Sequence, residues 1–476
     1  MVTTITFIAY GAIIFGIGLV AARRSKDDVA DVHLADRDHG TWTSALSSSV
    51  STESGFVLLG MVGMGYQVGV NALWIVPAGV AGYLLNWKVL APDLREKSDD
   101  LGAVTVPEFV SRATDDRFSR VAGGLAGLLG IVFLMAYVAA QFSAAGKAIS
   151  GQFDLSYLTA TGFAAAFVAI YALVGGFRAV SWSDTLQAGM MAFALIVLPI
   201  VVIQSVGGFG ELFAQLREID PALTSPTGGA TSVSGVLMAV LPWLMLGLAY
   251  PGQPHAVARL MAAKDRGVFR WAPVIAIVWF ILVYTGAVFL GMAAHAGFAD
   301  LQPIANDPEQ TLPVLAGRFL PGILAGTVLA AIIAAITSTA DSTLMASAST
   351  LARDLREAVG LPEPERELLW TRLAVLILAV VAAGFAFQET PVVFDIVLVA
   401  WAGLGSSLGP TVLYCALMEN PKGLAATSGL LTGGGLAFAL QSFEIDLLLG
   451  FTASAVVVGA VHAALTYRKR RETEPA

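Results

Sequence analysis

The sequence predicts an all-α polytopic membrane protein organised around two five-helix repeats of opposite orientation. Hydrophobic residues make up 56% of the 476 residues and charged residues only 13%, against about 45–50% and about 25% in an ordinary soluble domain. The mean hydropathy of +0.75 covers the whole chain, so apolar segments recur throughout. Two of these segments, at corresponding positions, contain helix-breaking residues. Together these observations exclude a typical soluble enzyme.

A helix needs about 20 mostly apolar residues to cross the hydrocarbon core, and this criterion predicts about thirteen spans. Their approximate bounds are 3–22, 41–69, 72–92, 120–148, 156–175, 180–206, 232–258, 269–295, 320–348, 368–388, 392–417, 423–441 and 446–467. The connections are short, so we expect residues 1–476 to form a single membrane domain. The first span is full length and has no cleavage-site pattern, so we expect it to be retained and not removed as a signal peptide.

Basic residues beside the spans predict their orientation, because Lys and Arg next to a membrane span stay preferentially in the cytoplasm. With an external N-terminus, nearly all of them fall on one side, among them Arg23, Arg24, Lys26, Arg259 and the cluster 468–471. The exceptions are Lys147, Arg217 and Arg318. We therefore predict an external N-terminus, a cytoplasmic C-terminus and a location in the cell membrane.

Two spans contain residues that do not suit a continuous helix. Span 41–69 begins TWTSALSSSVSTESGFVLL, with a run of hydroxyl residues and Gly55 near the middle of the membrane. Span 232–258 is interrupted by Gly247, Pro251, Gly252 and Pro254. Proline removes an amide donor and clashes with the preceding turn, while glycine tolerates unwound backbone. We expect both helices to break near their centres, although each break taken alone is also compatible with an ordinary kink.

The starts of these two spans are five spans apart, and this spacing predicts an inverted repeat. Because five is odd, the group 232–417 crosses the membrane in the opposite sense to the group 41–206. One extra helix, 3–22, precedes the repeats, and two helices within 423–467 follow them. Unwound backbone in a bilayer lines a cavity or is buried by protein, so the paired breaks predict a binding site. This arrangement suits a secondary transporter, with exposed carbonyls for a monovalent cation and half-helix N-termini for an anionic group.

The densest set of polar residues within an apolar span lies in AAIIAAITSTADSTLMASAST, residues 330–350. Ser338, Asp341 and Ser342 share one helix face, and Thr339 is adjacent to it. Hydroxyl and carbonyl oxygens are ligands that suit a hard monovalent cation such as sodium. Small hydroxyl residues also allow close helix packing, but the presence of Asp341 favours an ion site at Ser338 and Thr339.

Two further carboxylates lie at informative positions, and each has two interpretations. Asp184 begins the sixth span, where it is either a helix-start carboxylate favoured by the macrodipole or a functional group. Glu53 lies at the first break, where it presents either its backbone to an ion or its carboxylate to water.

Other classes of function find little support in the sequence. Cys415 is the single cysteine, and the five histidines are scattered, which argues against a metal centre. Basic residues form only short membrane-flanking clusters, which argues against a nucleic-acid partner. There is no compact set of histidines, carboxylates or nucleophiles of the kind an enzyme needs. The predicted partners are therefore a small molecule, an ion and the lipid bilayer, and the oligomeric state is left open.

Four motifs carry a family resemblance. They are GGFRAVSWSDTLQAGMMAFAL (175–195), LGLAYPGQPHAVARLMAAKD (246–265), AAIIAAITSTADSTLMASAS (330–349) and AWAGLGSSLGP (400–410). In this order they resemble the sodium:solute symporter family, most closely its sodium/proline symporter branch, over residues 1–470. The resemblance implies a leucine-transporter-type five-plus-five fold, in agreement with the parity argument. It also implies Na+ as the coupling ion, no other cofactor, and a small organic solute as the substrate.

The resemblance further implies two cation sites. In the sodium site, the ligands are the backbone carbonyls of Val50, Glu53 and Ala335 and the hydroxyls of Ser338 and Thr339. A second site near the cytoplasm matches Asp184, Ser338, Asp341 and Ser342. Many relatives have a small or apolar residue in place of Asp341, so its ion is either a second sodium or a proton.

The resemblance also implies a substrate site, but fewer of its residues match those of proline transporters. Its residues are Phe56, Tyr137, Gln141, Leu246, Tyr250 and Pro254. Phe56 and Leu246 stand where proline transporters have tryptophans, and Thr52 stands where that branch has an aspartate. We expect sodium-coupled symport of proline or a similar small amino acid. The alternatives are a symporter of a monocarboxylate or pantothenate-like acid and, more remotely, a membrane solute sensor without net transport, for which the tail RKRRETEPA is too short to hold an output domain.

Overall fold

The computed structural model describes residues 2–23, 33–153, 155–362, 366–388, 393–440 and 443–473. Arg24, Lys26 and the ends of the predicted spans at residues 392 and 441 lie outside these ranges. Ten helices in the described part are long and apolar enough to cross a membrane, and Ile8–Ala21 and Tyr157–Leu173 are shorter apolar helices. The prediction of an all-α polytopic membrane protein is confirmed, while the count of about thirteen spans and the external N-terminus stay predictions.

The described residues of the first half form eight α-helices. They are α1 (Val2–Ala22), α2 (Thr41–Thr52), α3 (Val62–Val68), α4 (Ile75–Leu84), α5 (Ala91–Asp100), α6 (Val106–Ala113), α7 (Ser119–Phe153) and α8 (Tyr157–Ser205). A π-helical segment, Phe56–Met61, leads into α3, and another, Leu85–Leu90, joins α4 to α5. The 3-10 segment Gly69–Trp74, in which Gly69 has a φ of 58°, changes the course of the helical path between residues 56 and 100.

The second half repeats the pattern with more irregular connections. Its helices are α9 (Gly208–Ile219), α10 (Val233–Met245), α11 (Pro254–Met261), α12 (Val268–Phe298), α13 (Gln302–Asn306), α14 (Thr311–Phe319), α15 (Gly322–Ser349), α16 (Leu355–Ala358), α17 (Glu367–Ala386), α18 (Val393–Leu417), α19 (Gly423–Leu440) and α20 (Phe443–Thr473). A 3-10 segment, Leu246–Gly252, follows α10, and a π-helical segment, Thr350–Asp354, joins α15 to α16. Helix α15 is the most central element, because α1, α7 and α8 all pack on it.

Helix α8 contains both spans predicted at 156–175 and 180–206, because its helical backbone runs through the residues between them. Its axis bends sharply there. The Tyr171 hydroxyl donates to the Ala179 carbonyl at 3.1 Å and to Ser183 Oγ at 3.0 Å, whereas residues twelve apart in a straight helix are separated by about 18 Å. Since Asp184 lies inside this helix, its interpretation as a helix-start carboxylate is wrong.

Both predicted helix breaks are confirmed. Helix α2 ends at Thr52, Glu53 has a non-helical ψ of 52°, and helical backbone resumes at Phe56. Helix α10 gives way to the 3-10 segment, and Gln253 is extended before α11 begins at Pro254.

Glycines hold the second break close to the backbones of two other helices. A Cβ atom at Gly247 would lie 2.3 Å from the Ala78 carbonyl oxygen in α4, and one at Gly252 would lie 2.3 Å from the Leu404 carbonyl oxygen in α18. Such contacts exclude any larger side chain, so α4 and α18 clamp the break from two sides.

A short segment before α2 ties the two broken helices together at the ends remote from their breaks. The Arg37 guanidinium donates to the carbonyl oxygens of Ala103 at 2.7 Å and of Met261, the last residue of α11, at 2.8 Å. His39 forms a β-bridge with Ala263. The two half-helices α2 and α11 therefore share one anchor, and their relative position is fixed next to the predicted cation sites.

The glycine clamp gives a test of the packing. We expect Gly252→Ala to lower the thermal unfolding midpoint of the purified protein by several degrees, because the new methyl group would overlap the Leu404 carbonyl. Gly435→Ala in α19 is the matched control, since a Cβ there has no neighbour within 4 Å. Thermal unfolding followed by fluorescence-detected size exclusion measures both, and equal midpoints for the two variants would contradict the close approach.

Candidate functional site

The first helix break is held by two side chains of α7. The Thr52 carbonyl oxygen accepts a hydrogen bond from the Tyr137 hydroxyl at 2.9 Å, and the Gly55 amide donates to Gln141 Oε1 at 3.1 Å. Backbone groups left unpaired in an apolar medium cost several kcal/mol each. Tyr137 and Gln141, both predicted to bind substrate, thus satisfy the backbone that the break exposes. Their contact with substrate stays a prediction.

The predicted sodium ligands lie at the interface between α2 and α15. The Thr339 hydroxyl donates to the Val50 carbonyl oxygen at 3.5 Å. Val50, Ala335, Ser338 and Thr339 are all completely buried. The structure thus brings together the end of α2 and the predicted face of α15, as an ion shared between them requires.

Glu53 departs from one of its two expected roles. Its carboxylate is completely buried and accepts hydrogen bonds from four hydroxyl groups. Oε1 accepts from Tyr83 at 3.1 Å, Tyr250 at 3.1 Å and Thr52 at 3.3 Å, and Oε2 accepts from Tyr284. Presentation of this carboxylate to water is therefore wrong, because tyrosines of α4, of the second break and of α12 take the place of water. Coordination by the Glu53 carbonyl stays a prediction.

Asp184 is the centre of a second buried polar group, next to the predicted sodium ligands. Its Oδ1 accepts from the Ser338 hydroxyl at 2.5 Å, and its Oδ2 accepts from Ser47 Oγ at 2.5 Å and from Arg259 Nη2 at 3.0 Å. Ser338 thus lies between the two predicted cation sites, with its hydroxyl turned toward Asp184.

Arg259 is a functional candidate that the sequence analysis missed. It was expected only to mark the cytoplasmic side, which stays a prediction, and its side chain is completely buried between α2, α8 and α15. Nε donates to Ser47 Oγ at 2.8 Å, Nη1 donates to the His255 carbonyl at 2.7 Å, and Nη2 also donates to Ser342 Oγ at 2.5 Å. A signal was available, because an aspartate inside an apolar span requires a partner and Arg259 directly follows the broken span 232–258.

Asp341 completes this second group. Its Oδ1 accepts a hydrogen bond from Ser342 Oγ at 3.3 Å, and its Oδ2 has no hydrogen-bond partner in the described part of the chain. The residue is completely buried. The structure therefore brings all four predicted residues of the second cation site together, and adds one guanidinium to them.

Aromatic side chains gather beside the breaks. The Phe56 ring stacks on Phe394 with centroids 4.9 Å apart, and the Tyr250 ring lies edge-on to Trp401 at 5.1 Å. Phe56 and Trp401 are also stacked, at 6.4 Å. Phe394 and Trp401, both in α18, were not predicted. The signal for Trp401 was a single tryptophan within the small-residue motif AWAGLGSSLGP.

Leu246 and Pro254 mark the two ends of the second break. Leu246 is buried at the start of the 3-10 segment. Pro254 lines a cavity of about 40 Å³ together with His255, Arg259 and Ser342, which is enough for a few water molecules. This cavity reaches His33 and Thr105, so it leads from the second polar group toward the segment before α2 and the start of α6.

A sequence model of the sodium:solute symporter family matches residues 32–433. The chain belongs to this family. A sodium/proline symporter of Escherichia coli (strain K12) is 33% identical over 448 residues, which cover 92% of this chain and 88% of that protein. A high-affinity proline transporter of Bacillus subtilis (strain 168) is 32% identical over 450 residues, which cover 93% and 94% of the two chains.

The fold agrees with that membership. The structure of a Na+-coupled sialic acid symporter, in a substrate-bound outward-open state, superposes with a TM-score of 0.82 and 17% sequence identity, covering 98% of each chain. The predicted leucine-transporter-type repeat is thereby confirmed at the level of the fold. As a member of the sodium:solute symporter family, the protein is a multi-pass membrane transporter with Na+ as the coupling ion, and not an enzyme.

The tyrosine cage around Glu53 gives a second test. We expect Glu53→Leu to lower the thermal unfolding midpoint, because the hydroxyls of Tyr83, Tyr250 and Tyr284 lose their acceptor at about 1–3 kcal/mol for each buried group left unpaired. Glu53→Gln keeps one acceptor oxygen and should retain most of the stability. Melting curves of the two purified variants make the comparison, and equal losses would show that the hydroxyls do not depend on an acceptor at this position.

Proposed function

We propose that this protein is a sodium-coupled symporter of proline or a similar small amino acid, working by alternating access. Family membership and the proline-transporting relatives support the substrate class. The observation that carries the coupling step is the contact between the Thr339 hydroxyl and the Val50 carbonyl oxygen across α2 and α15.

Sodium acts at this contact by replacing a weak hydrogen bond. At 3.5 Å, the bond between Thr339 and Val50 is at the outer limit of hydrogen-bond geometry. A sodium ion that takes both oxygens as ligands draws α2 and α15 together and fixes the first break. Substrate that binds at the fixed break then binds more tightly, and thermodynamic linkage requires it to raise sodium affinity by the same factor.

In this proposal the substrate lies against the aromatic side chains of Phe56, Tyr250 and Trp401. The faces of these rings suit the apolar ring of proline. Helix α11 begins close by at Pro254, and the positive end of its dipole suits a carboxylate. Phe56 and Leu246 stand where proline transporters have tryptophans, and these two departures weaken the expected specificity for proline.

Uptake into proteoliposomes tests the coupling directly. We expect an inward sodium gradient to drive accumulation of radiolabelled proline, and collapse of the gradient to abolish it. Unlabelled amino acids and short monocarboxylates added in excess identify the substrate class. Stronger competition by a monocarboxylate or pantothenate than by any amino acid would overturn the amino-acid part of the proposal, and uptake indifferent to sodium would overturn the coupling.

A matched pair of threonines in α15 tests the ion site. We expect Thr339→Ala to raise the sodium concentration for half-maximal uptake by about tenfold or more, which corresponds to about 1.4 kcal/mol of lost binding free energy. Thr343→Ala is the control, because that hydroxyl is equally buried but donates to the Thr339 and Ala340 carbonyls of its own helix, at 2.7 and 3.1 Å. The same sodium requirement in both variants would place the ion elsewhere.

The aromatic side chains beside the breaks give a separate test, which concerns the affinity for the substrate. Trp401→Leu should raise the proline concentration for half-maximal uptake several-fold without a comparable change in sodium requirement, because it removes one wall of the group. Trp42→Leu is the control, since that side chain is 64% exposed at the start of α2. Uptake measured at saturating sodium separates the two parameters, and an unchanged proline requirement in Trp401→Leu would exclude this wall from the substrate site.

A further inference from the structure

We propose that the Arg259 guanidinium is a built-in cation of the second site, so that the transporter moves one sodium ion with each substrate molecule. This inference rests on the proposed symport function. It concerns the four residues that the family resemblance implies as second-site ligands, which here surround an arginine side chain.

The guanidinium contacts two of those four residues directly. Nη2 lies 3.0 Å from Asp184 Oδ2 and 2.5 Å from Ser342 Oγ, while Nε donates to Ser47 at 2.8 Å. The position between Asp184 and Ser342, where a cation would sit, is therefore taken by a positive charge that is covalently part of α11.

A sodium ion does not readily displace this charge. Asp184 and Arg259 are an ion pair with side chains 0% and 1% exposed, and separating a buried pair leaves an uncompensated charge in the protein interior, which is strongly unfavourable. The other guanidinium bonds, to Ser47 and the His255 carbonyl, anchor Arg259 from two further directions. Sodium at this position would have to replace all of these contacts.

The guanidinium leaves one place for a coupling ion. Asp184 is paired with Arg259, and both side chains are at most 1% exposed. The buried Asp341 lies outside that pair, because its Oδ1 accepts from Ser342 Oγ at 3.3 Å and its Oδ2 has no hydrogen-bond partner among the described residues. With the position between Asp184 and Ser342 occupied, the Val50–Thr339 contact between α2 and α15 is the place left for the ion.

The Glu53 carboxyl group is separate from the Asp184 group. It is held by hydroxyl groups of Thr52, Tyr83, Tyr250 and Tyr284, and the tyrosines come from α4, the second break and α12. These hydroxyl groups hold Glu53 without a cation, and none of them belongs to the Asp184 group.

Charge variants test the proposal by removing or keeping this built-in cation. Arg259→Met removes the positive charge and leaves Asp184 without its partner, so we expect the sodium-to-substrate ratio to rise from about one to about two and the sodium dependence to become sigmoidal. Arg259→Lys keeps the charge, and the double variant Asp184→Asn with Arg259→Met removes the pair. Both should keep a ratio of about one, whatever their rates.

Two measurements make the test independent of turnover. Fluxes of radioactive sodium and labelled substrate in the same proteoliposomes give the coupling ratio. Equilibrium binding of radioactive sodium to the purified protein, after size exclusion has shown that each variant is folded, gives the number of ions bound even where transport is lost. The wild-type protein alone already distinguishes one bound sodium from two.

Several results would overturn the role of Arg259. These are a wild-type protein that binds or moves two sodium ions, or an Arg259→Met variant that binds no more sodium than the wild type. Wild-type protein that shows no sodium-dependent uptake of any solute would instead contradict the proposed function, and sodium binding would still decide the question of Arg259.

Discussion

Inside a membrane, every backbone amide and carbonyl must find a partner within the protein, and this requirement shapes the centre of the molecule. Two helices are broken at that depth. The first break is held by Tyr137 on the Thr52 carbonyl and by Gln141 on the Gly55 amide. The second is enclosed by backbone contacts from α4 and α18. The groups that satisfy exposed backbone are of the same kinds as those that bind an ion or a substrate. The two helix breaks therefore produce a binding site.

Buried carboxyl groups at this depth also need partners within the protein, because the core of the bilayer offers no water to them. Each carboxylate near the breaks is stabilised in a different way: Asp184 by a guanidinium, Glu53 by hydroxyl groups, and Asp341 only by a weak hydrogen bond to Ser342. The least satisfied of the three lies on α15, the helix that also carries Ser338 and Thr339 of the predicted sodium site. A transporter must bind its ion and then release it, and a neutral set of oxygens binds an ion without making its release too costly.

Much of the architecture was predictable because membrane insertion depends on composition over long windows. Apolar length gave the helices, and the Gly and Pro residues gave both breaks within a few residues. The contact between Val50 and Thr339 agrees with the sodium site that the family resemblance implies. The spans at 156–175 and 180–206 were predicted as separate helices, whereas helical hydrogen bonding continues through the bend between them in α8. The burial of Arg259 was missed because its position at the end of a span is equally typical of an exposed topology marker.

The sequence by itself determined the fold class, the pairing of the two broken helices and the helix faces that carry oxygen ligands, since these depend on local hydropathy, periodicity and backbone chemistry. Only the tertiary structure decided which polar groups meet. Arg259 joins Asp184 across 75 residues of chain, and Tyr284 reaches Glu53 across 231. Such pairings depend on how helices pack in three dimensions, and no periodicity along the chain encodes them. The charge balance of the ion pathway is therefore a property of the folded protein.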